Sequence, residues 1–182
     1  MTDGPEVVGQ DGIAVSDRLA RLWTPHRMAY IKSAAEAEGA EDAGCPFCRI
    51  PTLSDREGLV VARGEQVYAV LNLHPYNPGH LMTVPYRHVG ELEGLTEAEA
   101  LELATMTRDA VRAVKTASDP HGFNIGLNLG GVAGGSLSGH LHQHVVPRWG
   151  GDANFITVLA QTKVIPQLLS ETRDMVAEAW PS

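Results

Sequence analysis

The stretch GHLHQHVVPRW, residues 139–149, carries His140, His142 and His144 at alternate positions. Leu141, Val145 and Val146 favour extended structure, and Pro147 sits where a strand can end. Side chains on a strand alternate faces, so the three imidazoles are expected on one face, with consecutive backbones about 6.6 Å apart. Leu141 and Val145 then pack on the other face, and Gln143 reaches an interface, a second part of a ligand, or solvent. Imidazoles spaced this way can line one elongated anion such as a polyphosphate, or two of them can hold a metal. The plainer alternative is a half-exposed strand with surface histidines, but histidine is too rare a residue to alternate three times often by accident.

Immediately upstream runs NLGGVAGGSLSG, residues 128–139. Glycines let consecutive backbone amides point at one anion, and the Ser136 hydroxyl adds a donor, so the stretch reads as a phosphate cradle. A glycine-rich turn alone would more often be a simple connection; its place directly before the histidines changes that weighting. A second chemical cluster is Cys45-Pro-Phe-Cys48. The pair suits a redox couple or a metal knuckle. The thioredoxin-like arrangement needs a strand before the pair and a helix opening at it, and neither is evident in the sequence.

The elements that must position these groups are legible in outline. Residues 1–16 lack a period and read as weakly held. A helix is expected from the Thr24 cap and Pro25 to Gly39. The stretch 41–51 reads as a compact knuckle. LVVARGEQVYAVLN is a hairpin around Gly64-Glu65, and after the break at Asn77-Pro78-Gly79 another strand covers Leu81–Val84. Thr96 opens the longest helix, with Glu99 completing a capping box and an apolar face of Leu101, Ala104, Met106, Val111 and Val114. GFNIGLNLG is a strand leading into the glycine loop. NFITVL offers one more strand, and a closing helix starts near Pro166. Strands joined by short turns, with one long central helix, indicate an α+β domain with an antiparallel sheet.

The 182-residue chain suits one domain with extensions. Its 14 Lys+Arg against 22 Asp+Glu give a net charge of −8, which disfavours backbone binding of long nucleic acids. A small anion held by amides and imidazoles is compatible with that charge. No apolar run is long enough for a membrane span, and the N-terminus lacks the pattern of a secretion signal, so a cytoplasmic location is expected.

HLHQHVV, together with AVLNLHPYNPGHLMTVPYRH upstream, resembles the histidine triad (HIT) family over residues 45–150. Residues 1–44 would form an N-terminal extension, helical after a disordered start, and 151–182 a strand and helix packed on the HIT domain. The flanks LWTPHRMAYI, GGSLSGHLHQHVVPRWGGDANF and TKVIPQLL are similar to the actinobacterial diadenosine tetraphosphate phosphorylase branch of that family. The resemblance implies phosphorolysis of diadenosine tetraphosphate to ADP and ATP through a covalent adenylyl-histidine. The alternatives are a HIT hydrolase of dinucleoside polyphosphates or nucleoside phosphoramidates, and a non-catalytic nucleotide-binding module.

In that reading His142 is the nucleophile, His144 contacts the α-phosphate or bridging oxygen, and His140 supports the site. Asn128, Gly135 and Ser136 match phosphate-binding positions. Ser136 lies four residues before His140, one more than in many family members, which fits the phosphorylase branch. Asn72 matches the ribose-binding position, Phe47 and Leu71 would line a base pocket, and Trp149 would stack on a nucleoside. Some members bind a structural zinc with positions matching Cys45, Cys48, His88 and His140; no organic cofactor is implied. The partners implied are small nucleotides and inorganic phosphate, in a homo-oligomer, dimer or tetramer. His26, His74, His80 and His121 are read as surface or packing residues.

Overall fold

The computed structural model describes residues 44–133, 137–152 and 165–181. The expected helix over 24–39 and the strand NFITVL lie outside the described residues. Within them the chain forms a short helix α1 (Pro46–Arg49), a hairpin β1 (Val60–Arg63) and β2 (Val67–Leu71), and β3 (Leu81–Pro85). A long helix α2 (Glu97–Ser118), strands β4 (Gly122–Leu127) and β5 (Gln143–Arg148), and a closing helix α3 (Leu169–Glu178) follow. The five strands make one sheet in the order β1-β2-β3-β5-β4, every pair antiparallel. The α+β architecture with its long central helix is as expected.

Strand alternation divides the core in two. On one face Val67, Ala69, Leu71, Leu81 and Val145 pack with Leu141 against Leu103, Met106, Ala110, Ala113 and Val114 of α2. On the other, Val60, Tyr68, Val70, Met82 and Val84 pack against Cys45 and Phe47. Tyr68 donates its hydroxyl to the Phe47 carbonyl at 2.8 Å, which ties α1 to this second face. The helix face differs from the expected one: Leu101 is 68% exposed and Ala104 is also exposed. The buried stripe is Leu103, Met106, Thr107, Ala110, Ala113 and Val114, with Val111 half-buried beside it. Its spacing follows the 3.6-residue repeat, but it includes Thr107, a polar residue that a count of apolar positions passes over.

Thr107 is buried because it is satisfied. Its hydroxyl pairs with that of Thr83 at 3.0 Å and receives the Gln143 amide at 3.1 Å. Gln143, half-buried, therefore turns its amide toward the helix. The histidine segment also departs from expectation. β5 begins at Gln143, because pairing with β3 extends only to Thr83↔Gln143. His140 and His142 precede it in a tight approach, in which Leu141 donates its amide to the Val89 carbonyl. The closing helix starts at Leu169, three residues beyond Pro166.

α2 carries the expected capping box. The Thr96 hydroxyl accepts from the Glu99 amide at 3.2 Å, and Glu99 returns a carboxylate to the Thr96 amide at 2.8 Å. The same carboxylate takes both Nε and a terminal nitrogen of Arg87, at 2.9 and 2.7 Å. Glu99 thus fastens the segment leaving β3 to the start of α2, one residue before His88. These Arg87 hydrogen bonds, followed by those of Thr96, hold the Glu99 carboxyl down at about 2, against an ordinary value of 4.5. Glu99→Ala is expected to cost about 1–2 kcal/mol in urea unfolding at pH 7. Because the folded value is depressed, the contribution is complete above the ordinary value and fades as pH falls toward the folded one. The gap between wild type and variant should narrow when the unfolding is repeated near pH 3.

Candidate active site

His140, His142 and His144 do share the sheet face opposite α2. Met82, on that face, is the cross-strand partner of His144. Phe47 packs against His140 and His142 with ring centroids 5.5 and 4.8 Å away, and the His142 and His144 rings are 4.9 Å apart.

The hydrogen bonds set the protonation of each ring. His142 donates Nδ1–H to the carbonyl of His140 at 2.8 Å, because a carbonyl can only accept. Its Nε2 therefore carries the lone pair. Burial lowers the pKa of His142, and the carbonyl only partly opposes this. The ring is a neutral imidazole with one defined nucleophilic nitrogen.

A second chain of bonds begins at the backbone. The Tyr76 amide, an obligatory donor, reaches His80 Nδ1 at 3.0 Å. A neutral His80 must then carry its proton on Nε2, which lies 3.0 Å from His144 Nδ1. His144 accepts there and holds its own proton on Nε2, facing the Asn128 amide at 3.4 Å. The amide of Asn128 can turn to present its oxygen, whereas the Tyr76 amide cannot reverse its role. Burial first, then the neighbouring His144 and His142, push His80 down to about 3. Burial and His142 push His144 down to about 4. Near neutral pH this chain is uncharged and directional.

His80 was read from the sequence as a packing residue. It is 1% exposed, and besides packing it hydrogen-bonds His144. His74 is exposed, as expected, and His121 accepts the Gly150 amide at 2.8 Å; His26 lies outside the described residues.

Cys45, Cys48, His88 and His140 converge, each offering one ligand atom, all within 4.8 Å of one another. Cys45 Sγ and Cys48 Sγ lie 3.3 and 3.5 Å from His140 Nδ1, and Cys48 Sγ lies 3.3 Å from His88 Nδ1. His140 Nε2 donates to the Pro85 carbonyl at 2.9 Å, which leaves its Nδ1 to the cluster. Cys45 caps α1, so a helix does open at the cysteine pair. The four side chains form a cluster able to hold a metal ion.

The remaining expected site residues divide. Asn72 accepts the His74 amide at 2.9 Å and donates its own amide to the His80 carbonyl at 2.9 Å, forming the turn before β3. Leu71 is buried under α2 and does not line a pocket with Phe47. Trp149 follows the last residue of β5, at the end of that strand remote from His142. Gly135 and Ser136 lie outside the described residues.

A five-stranded antiparallel sheet with a buried imidazole string on one face and a long helix on the other defines an α+β scaffold for histidine chemistry. Its match to known proteins is specific: a HIT domain spans residues 55–151. The chain is 60% identical over 172 residues to "AP-4-A phosphorylase" of Mycobacterium tuberculosis, covering 93% of this chain and 88% of that protein. A hypothetical histidine triad nucleotide-binding protein from Sulfolobus tokodaii superposes with TM-score 0.61 at 27% identity, over 74% of this chain and 91% of that one. A Zn-bound histidine triad protein from Mycobacterium smegmatis gives TM-score 0.60 at 24% identity, over 76% and 94%. The chain belongs to the HIT family. Among the described residues no helix is long and apolar enough to cross a membrane.

The His80–His144 bond can be tested apart from the nucleophile. His80→Phe keeps a buried ring but removes the donor to His144. Turnover should fall by about tenfold with little change in KM, less than the 10²–10⁴ expected on removing a proton-transfer group. Nitrogen NMR of the wild type should show His144 as the Nε2–H tautomer, and the variant should lose that preference. A variant with wild-type turnover and an unaltered His144 signal would show that His80 only fills space.

Proposed function

We propose that the protein transfers an adenylyl group from diadenosine tetraphosphate to inorganic phosphate, releasing ATP and ADP, with His142 as covalent carrier. The observation that carries this reading is the His142 Nδ1–H bond to the His140 carbonyl, which leaves a neutral Nε2 as nucleophile. Likeness to the mycobacterial AP-4-A phosphorylase along nearly the whole chain supports the choice of substrate.

In the first step Nε2 of His142 bonds to the α-phosphorus as the bond from that phosphorus to the bridging oxygen breaks. ATP departs with the electron pair. His144, its Nε2–H held outward by His80, donates a hydrogen bond to that oxygen. In the second step a phosphate oxygen attacks the same phosphorus, the P–N bond breaks, ADP forms and His142 is restored. Splitting one displacement into two keeps each barrier lower. Phe47 and Asn72 serve the adenosine, and Asn128, Gly135 and Ser136 serve the phosphates. Phosphate competes with a great excess of water only if an anion site holds it in line, which raises its effective concentration. The amides and hydroxyls of the 134–138 loop suit an oxyanion better than neutral water.

The metal cluster is read as structural zinc. Two thiolates and two imidazoles suit zinc, and Sγ–Nδ1 separations of 3.3–3.5 Å are near the roughly 3.5 Å edge of a tetrahedron with Zn–S ≈ 2.3 and Zn–N ≈ 2.0 Å. The Pro85 carbonyl on His140 Nε2 is the outer partner a ligating histidine uses. When bound, zinc would brace the fold; all four ligands come from the protein, so no coordination position is left for substrate.

Incubation with diadenosine tetraphosphate, with and without phosphate, tests the reaction. ADP plus ATP should form only with phosphate, and an adenylyl adduct should be trappable on His142. His142→Ala should fold yet retain less than about a hundredth of the activity. AMP plus ATP at an equal rate without phosphate would make the protein a hydrolase.

Metal analysis tests the second site. Purified protein should carry about one zinc per chain, and Cys45→Ser should lower both zinc content and melting temperature. Zinc-free protein of unchanged stability would make the cluster a packed thiol knuckle.

A further inference from the structure

A groove of about 380 Å³ runs along β4 and β5 from His144 to Arg148, with Tyr76 at its wall. That size falls within the range of small-molecule sites. Its floor follows from strand register: Gly126 pairs with His144, Asn124 with Val146 and Gly122 with Arg148. Directly paired residues present their side chains on the same face. A Cβ built on Gly126 or Gly122 would meet nothing within 4 Å, so the two glycines leave the floor open at both ends.

The chemistry at the far end is not that of a phosphate site. Arg148 gives Nε and one terminal nitrogen to the Asp152 carboxylate at 2.6 and 3.0 Å, and its other terminal nitrogen to Asn124 Oδ1 at 2.7 Å. Asp152 compensates its charge, while the three bonds hold the guanidinium plane in place with the side chain 47% exposed. A fixed, half-exposed guanidinium is a stacking surface for a flat ring.

Asn77 adds a second signal. It lines the groove and is 1% exposed. Its Nδ2 donates to the Pro147 carbonyl at 2.8 Å and to Asp152 at 2.7 Å. Both partners are acceptors, so the amide orientation is settled. Oδ1 is then a buried acceptor with no partner among the described residues. Such an atom calls for a donor, as a ribose hydroxyl or an exocyclic amine would supply.

We propose that this groove binds the distal nucleoside of a dinucleoside polyphosphate, the one that departs with the leaving group; the proposal rests on the adenylyl transfer described above. Arg148 lies four residues beyond His144, about 13 Å along the strand. A nucleoside stacked there is joined to the attacked phosphorus by a bridge of several phosphates. The groove thereby selects long dinucleotides over small adenylyl donors.

The test compares two donors with the same adenylyl half, diadenosine tetraphosphate and adenosine 5'-phosphoramidate, each with phosphate as acceptor. Arg148→Ala and Asn124→Leu should raise KM for the dinucleotide by about tenfold and leave its kcat within about twofold, as loss of a stacking contact would. Their kinetics on the phosphoramidate should stay at wild-type values, which also reports intact folding. Arg148→Lys, which keeps the charge and loses the plane, should behave as Arg148→Ala does. Equal losses on both donors, or no loss on the dinucleotide, would overturn the assignment. Wild-type transfer from the phosphoramidate alone would overturn the groove while leaving adenylyl transfer standing. Transfer from neither donor would instead mean that the underlying reaction is wrong, and the groove falls with it.

Discussion

His140 is the side chain on which both chemical centres depend, and each of its polar groups has a separate task. Nδ1 faces the two cysteines, Nε2 is held by the Pro85 carbonyl, and the backbone carbonyl receives Nδ1–H of His142. A carbonyl cannot donate, so these contacts leave no choice of tautomer in either ring. The residue is 1% exposed, and Phe47 and His88 pack edge-on to its ring. The Cys45–Cys48–His88–His140 cluster and the His142 ring are therefore joined by one buried residue, and moving the first would move the hydrogen bond that orients the second.

The scaffold serves this arrangement by dividing its labour between faces. α2 buries the inner face of β2, β3 and β5 with aliphatic side chains and a small polar set, Thr83, Thr107 and Gln143, which satisfy one another. The outer face is left to α1 and the histidines. Because Glu99 secures Arg87 to the start of α2, the segment carrying His88 is attached to the same frame that holds β5. Imidazoles on such a support keep their orientation without needing a charged partner.

Much of this was legible in the sequence, and the remainder fails for identifiable reasons. The strand hairpin, the capping box and the alternation of the three histidines follow from local chemistry, and the structure reproduces them. The cysteine pair is legible as a redox couple or metal knuckle, whereas its partners His88 and His140 follow only from family resemblance. His80 was missed because its importance depends on register. It lies two residues before Met82, whose cross-strand partner is His144, and the β3–β5 pairing joins segments more than fifty residues apart. The contact between Gln143 and Thr107 is not legible for a similar reason. A polar residue on a strand or helix is assigned to solvent unless its partner is known, and here each is the other's partner. Leu71 alternates toward α2, which could be decided only once the helix had been assigned to a face.

The electrostatics impose one further constraint. The chain carries a net charge of −8, yet the reading requires it to bind a polyanion and a second anion. Among the described groups along β5, the imidazoles are neutral and Arg148 is committed to Asp152. A protonated imidazole would attract phosphate more strongly, but protonation of His142 would remove its nucleophilic lone pair. Burial resolves the conflict in favour of the neutral ring. In the proposed reaction, phosphate binding then falls to neutral donors such as the Asn128 amide, whose strength does not depend on pH.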